Sequence, residues 1–178
     1  GYIRRFCTSD QSENNFIYYV LGKKERHTLA DYVTGVEETS TNKIVLYSSA
    51  QTGKTTELKQ LCWELQQSGL YLPVSFEVRT NTKLKRDDLP ESQYVDGREV
   101  VLVIDALDEV NGQKYEDLLE EIGGYAYEHP EMKMVLSYRS NFRRERQLEL
   151  FTELFLEELS IDDARDYAAK REVNSDRF

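Results

Sequence analysis

Four apolar runs punctuate the chain: Ile44–Tyr47, Pro73–Val78, Val100–Ile104 and Met134–Tyr138. Each has the length of a strand rather than a helix. Val100–Ile104 is apolar at every position, which predicts a strand buried on both faces in the middle of a parallel sheet. Between these runs the spacing changes. Leu58, Leu61, Cys62 and Leu65 share one helical face, and Tyr115, Leu118, Leu119, Ile122 and Ala126 share another. Leu154–Leu156 reads as one more strand. Strands alternating with helices predict a three-layer α/β fold around a mainly parallel central sheet of about five strands.

Polar residues and glycines mark the boundaries. Thr28 caps a short helix that stops at Gly35, and Gly69 closes the helix containing Leu58. Residues 79–97 read as a polar loop with one short helix. Gly123-Gly124 is expected to weaken the helix around it. Phe16–Leu21 is an apolar cluster of either type, Gln147–Phe151 a short amphipathic piece, and Ser160 the cap of a helix reaching Arg171. Residues 1–42 form a lead-in segment expected to pack on a core spanning 43–178. The initial Gly1 and the ending beside a helical pattern suggest a piece of a longer multidomain protein.

The chemistry concentrates between Lys43 and Leu61. Strand Ile44–Tyr47 leads into Ser48, Ser49, Ala50, Gln51 and Thr52, then Gly53, Lys54, Thr55 and Thr56 open a helix. Strand, small-residue loop, Gly-Lys-Thr and helix is the context of a phosphate-binding loop. Backbone N–H groups and the positive end of the helix dipole attract anionic oxygens. Lys54 can meet the β- and γ-phosphates, and the Thr55 hydroxyl can ligate Mg2+. Ser48 occupies the position where the loop pattern has its first glycine. A left-handed backbone there would cost a serine about 1 kcal/mol and would weaken binding by as much.

A metal-bound nucleotide also needs a carboxylate at the end of a neighbouring buried strand. Asp105 follows Val100–Ile104, and Asp108 or Glu109 can orient and activate water. Arg139 ends the next strand. Lys54, Asp105 and Arg139 thus all follow strands, where ligands sit in open α/β sheets. Arg143, Arg144 and Arg146 read as a solvated basic face in preference to an arginine finger.

Composition narrows the classes. The 178 residues carry a net charge of -10, which disfavours a broad nucleic-acid surface or a nucleic-acid-driven motor. No run approaches a membrane span. Cys7 and Cys62 lie far apart with no metal spacing, and Cys62 falls on the apolar face of its helix. A reduced, cytoplasmic setting follows. His27 stands in a charged stretch and reads as solvated.

Asp105-Ala106-Leu107-Asp108-Glu109 after an apolar strand resembles the Walker B region of the NACHT family of P-loop signal-transduction NTPases. Val135–Ser140 is similar to that family's sensor strand, and Leu156–Ser160 with Tyr167 to the turn and helix after its core. The resemblance covers residues 43–171. It implies a P-loop NTPase core that binds Mg2+ with ATP ahead of GTP, through residues 48–56, with the metal at Thr55 and Asp105. Slow hydrolysis by Asp108, Glu109 and Arg139 is implied, as is self-association of the full-length protein in signalling or defence. Ser48, and a short segment between the second and third strands, depart from the family. The departure at Ser48 favours the alternative of a binding or oligomerisation scaffold without turnover.

Overall fold

The computed structural model describes residues 2–9, 27–35, 41–48, 53–78, 84–107, 113–139, 148–158, 161 and 165. They build a mixed α/β fold on one seven-stranded sheet. The strands are β1 (Cys7–Thr8), β2 (Lys43–Ser48), β3 (Tyr71–Glu77), β4 (Tyr94–Val95), β5 (Arg98–Asp105), β6 (Lys133–Arg139) and β7 (Thr152–Leu156). The helices are α1 (Leu29–Thr34), α2 (Lys54–Ser68) and α3 (Gln113–Glu128). Sheet order is β1-β7-β2-β6-β5-β3, with β4 beside β5. β7, β2, β6, β5 and β3 run parallel, while β1 and β4 are short antiparallel additions.

Period-two alternation divides the core between two faces. Val45, Tyr47, Leu102, Ile104 and Leu136 pack with Leu119 and Ile122 of α3. Ile44, Leu46, Val101, Val103 and Val135 pack on the other face with α1 and with Leu58, Leu61 and Leu65 of α2. The centres of β2, β5 and β6 are therefore covered on both sides, and this is why their middle residues are mostly apolar.

Caps set the short helix α1 as expected. Thr28 and Asp31 form a reciprocal capping box, and Gly35 closes the helix with φ 77°. Gly69 ends α2 at φ 71°. At the base of the sheet, the buried Lys43 ammonium donates to the carbonyls of His129 at 2.9 Å and Pro130 at 3.1 Å, and also to that of Met132. It binds the start of β2 to the turn between α3 and β6.

Several expectations change. The segment 79–97 holds a 3-10 turn at Arg86–Asp88 and the hairpin strand β4. Asp96 (φ 50°) and Gly97 (φ 76°) make its tight turn, as Asp-Gly does in two-residue hairpins. α3 runs unbroken through Gly123-Gly124, because Leu118, Leu119, Ile122, Tyr125 and Ala126 bury its inner face. His27 is half-buried, bridges Cys7 and meets the Tyr32 ring edge-on. Cys62 is half-buried and packs against the core on the apolar face of α2, as expected. Phe16–Leu21 and most of the segment 160–171 lie outside the described residues.

Candidate functional site

The candidate site lies at the carboxyl ends of β2, β5 and β6. The chain leaves β2 toward β3 on one side of the sheet and leaves β6 toward β7 on the other. Such a reversal opens a crevice beyond the strand tips.

Gly53 is the N-cap of α2, with φ 85° and no side-chain cap on the helix. That backbone region is costly for any residue with a Cβ. A Cβ here would also come within 3.4 Å of Arg5 Nη1. The first turn of α2 then carries Lys54, half-buried, and Thr55, exposed. The Glu57 N–H donates to the Gly53 carbonyl at 2.9 Å, beginning the helical ladder.

Thr55 Oγ1 donates to Asp105 Oδ2 at 2.6 Å. Ser137 Oγ donates to Asp105 Oδ1. Asp105 ends β5, and Ser137 faces it from β6 because Ile104 pairs with Leu136. One carboxylate thus joins the first turn of α2 to two strand tips. Ser137 was not singled out from the sequence. Its signals are a hydroxyl interrupting the apolar run Met134–Tyr138 and its place within the segment Val135–Ser140.

The other expected residues divide into two groups. Ser48 is the last residue of β2 and pairs in register with Arg139, the last residue of β6. Ser48 therefore keeps extended backbone: among the described non-glycine residues only Asp96 has a positive φ. The expected left-handed strain at Ser48 does not arise. Ser49, Ala50, Gln51, Thr52, Asp108, Glu109, Arg143, Arg144 and Arg146 lie outside the described residues. Thr56 is exposed on α2 beside Thr55.

The N-terminal segment also reaches this end of α2. Tyr2 donates its hydroxyl to Glu57 Oε2 at 2.6 Å, and the buried Arg5 donates to the Glu157 carbonyl. Burial raises the Glu57 carboxyl above its ordinary value, and the Tyr2 hydrogen bond and the Arg5 charge partly offset the rise. Burial beside Glu57 likewise raises the Tyr2 phenol, so it remains a donor.

A cleft of about 200 Å3 runs between α2 and β3 from this site. Thr55, Asp105, Glu77, Phe76, Cys62 and Trp63 are among the residues that line it.

Comparison with protein-family models found no match, and neither did comparison with curated proteins. Among solved structures, the solution structure of protein NMB1076 from Neisseria meningitidis is similar at a TM-score of 0.34 and 12% identity, covering 75% of this chain and 85% of that one. A likeness that slight bears on neither mechanism nor ligand. Among the described residues no helix is long and apolar enough to cross a membrane.

Proposed function

We propose that this chain has a three-layer P-loop NTPase core and binds a Mg2+-nucleoside triphosphate, ATP ahead of GTP, hydrolysing it slowly as the switch of a NACHT-like signalling or defence protein. The observation that carries the reading is the pair of hydrogen bonds on Asp105 from Thr55 and Ser137. They bring the helix after Gly-Lys-Thr and the acidic strand tip into one crevice.

Chemistry at the crevice is consistent with the proposal. Thr55 and Asp105 offer hard oxygen donors, which suit Mg2+ bound jointly with phosphates. Mg2+ supplies charge neutralisation at the phosphates. Gly53 admits the left-handed turn that brings the start of α2 toward an anion. Lys54 in that first turn adds a positive charge. Arg139 ends β6 beside the end of β2 and is the residue proposed to meet the terminal phosphate. Asp108 and Glu109 are proposed to orient water. A cytoplasmic location and self-association of the full-length protein belong to the same proposal.

Titration calorimetry of the protein and of Lys54→Ala with Mg-ATP and Mg-GTP tests the reading. The expected result is binding by the parent and none by the variant. Equal affinity in the two defeats the proposal.

A further inference from the structure

Asp105 and Ser137 lie side by side on the α2 face of the sheet. Alternation along β5 puts Val101, Val103 and Asp105 on that face, and along β6 it puts Val135 and Ser137 there. Val101, Val103 and Val135 pack with the leucines of α2. Ser137 is 0% exposed, and its register partner on β2 is the equally buried Leu46, whose side chain has no polar atom. The Ser137 hydroxyl turns instead to Asp105 and donates to Oδ1. At that depth no solvent competes for the bond.

The two oxygens of the Asp105 carboxylate therefore face different surroundings. Oδ1 is held from within the sheet by Ser137. Oδ2 accepts from Thr55, an exposed residue in the first turn of α2. Thr55 and Asp105 line the α2–β3 cleft, and Ser137 does not. Ser137 stands behind the carboxylate, fixes its rotation about the Cβ–Cγ bond and leaves Oδ2 as the oxygen turned to the cleft.

Divalent cations differ in what they ask of such a group. Mg2+ demands near-ideal octahedral geometry with short bonds. Ca2+ accepts more ligands in flexible geometry, and takes carboxylates through one or both oxygens. A carboxylate fixed in rotation, with one oxygen engaged from behind, suits the first demand and gives up the second option.

From this placement we infer that Ser137 is a positioning residue that sets the metal preference of the site, favouring Mg2+ over Ca2+ by holding Asp105 Oδ1. The inference rests on the nucleotide reading above and extends it to the choice of cation. Ser137 acts through Asp105 alone, and removing its hydroxyl frees Oδ1 and lets the carboxylate turn.

The test is titration calorimetry with ATP in the presence of Mg2+ or of Ca2+, which gives a ratio of two affinities for each protein. The parent is expected to favour Mg2+. Ser137→Ala is expected to shift the ratio toward Ca2+ by about tenfold, the scale of one hydrogen bond to a charged group. Ser137→Cys, of similar shape with a weak donor, is expected to shift it the same way. Urea unfolding verifies that each variant is folded. Gly69→Ala, destabilised at a distance from the site, is expected to keep the parent's ratio. In an Asp105→Asn background, Ser137→Ala is expected to add no shift, because the two residues act as a coupled pair. A parent that binds ATP equally well with either cation overturns the inference and leaves the nucleotide site standing. So does a ratio unmoved in both Ser137 variants, an equal shift in Gly69→Ala, or a shift that persists without the Asp105 carboxylate. A parent that binds no nucleotide with either cation removes the functional reading, and this inference with it.

Discussion

Thr55 Oγ1 lies 2.6 Å from Asp105 Oδ2, although the two residues are 50 positions apart in the chain. The bond joins the first turn of α2 to the tip of β5 across the intervening strand β6. It ties the start of α2 to the acidic strand end, with Ser137 as the third member.

Asp105→Asn should separate charge from shape. The amide keeps one acceptor and can still meet both hydroxyls, so stability should change by under about 1 kcal/mol. The charge that favours a cation disappears. Nucleotide affinity measured with Mg2+ and with a chelator should differ in the parent and become nearly equal in the variant.

Gly53→Ala and Gly69→Ala form a matched pair. Both positions have left-handed backbone, with φ 85° and 71°, so each substitution should cost about 1 kcal/mol in denaturant unfolding. Nothing lies within 4 Å of a Cβ at Gly69. Only Gly53→Ala should also weaken nucleotide binding, because only Gly53 caps the helix turn that carries Lys54 and Thr55.

Lys43→Met should remove the donor that serves the carbonyls of His129, Pro130 and Met132. A loss of about 2 kcal/mol at pH 7 is expected, the scale of buried acceptors left without a partner. Burial lowers the Lys43 ammonium from 10.5 to about 8. Between those values the unfolded chain binds more protons than the folded one. The titration-linked part of this group's contribution therefore grows as pH rises through that window and is lost as pH falls through about 8, on top of what its hydrogen bonds contribute. Urea titrations from pH 7 to 10 should show the stability gap between parent and variant widening with pH.

Tyr2→Phe should push the Glu57 carboxyl further up, since the phenol hydrogen bond is one of the effects holding it down. A carboxyl raised by folding contributes stability that is fully present below its ordinary value and is lost as pH climbs through the raised one. The variant should therefore lose more stability than the parent on going from pH 4.5 to neutrality. Carbon-detected NMR titration of the Glu57 carboxyl, with unfolding at both ends of the range, checks the direction.

Some of this architecture is legible residue by residue. The apolar stretches around Val45, Leu102 and Val135 became the centres of β2, β5 and β6, where burial on two faces favours apolar side chains, and the stretch around Val74 became the half-buried β3. Thr28, Asp31 and Gly35 bounded α1 through contacts within a few residues. Lys54, Thr55 and Asp105 could be picked out because each sits where a strand gives way to the next element. Ser137, β4 and the strain-free backbone of Ser48 were not anticipated. Ser137 acts through a partner in β5, and Ser48 is held extended by its pairing with β6.

The amino-acid order alone determined where the longer strands and helices form, since periodicity, caps and turn residues act over a few positions. Tertiary structure alone decided that β6 lies between β2 and β5, and therefore that Ser137 bridges to Asp105 and Glu77 stands beside it. Strand order and register are set by the packing of distant side chains on both faces of the sheet, and no local pattern in the chain encodes that packing.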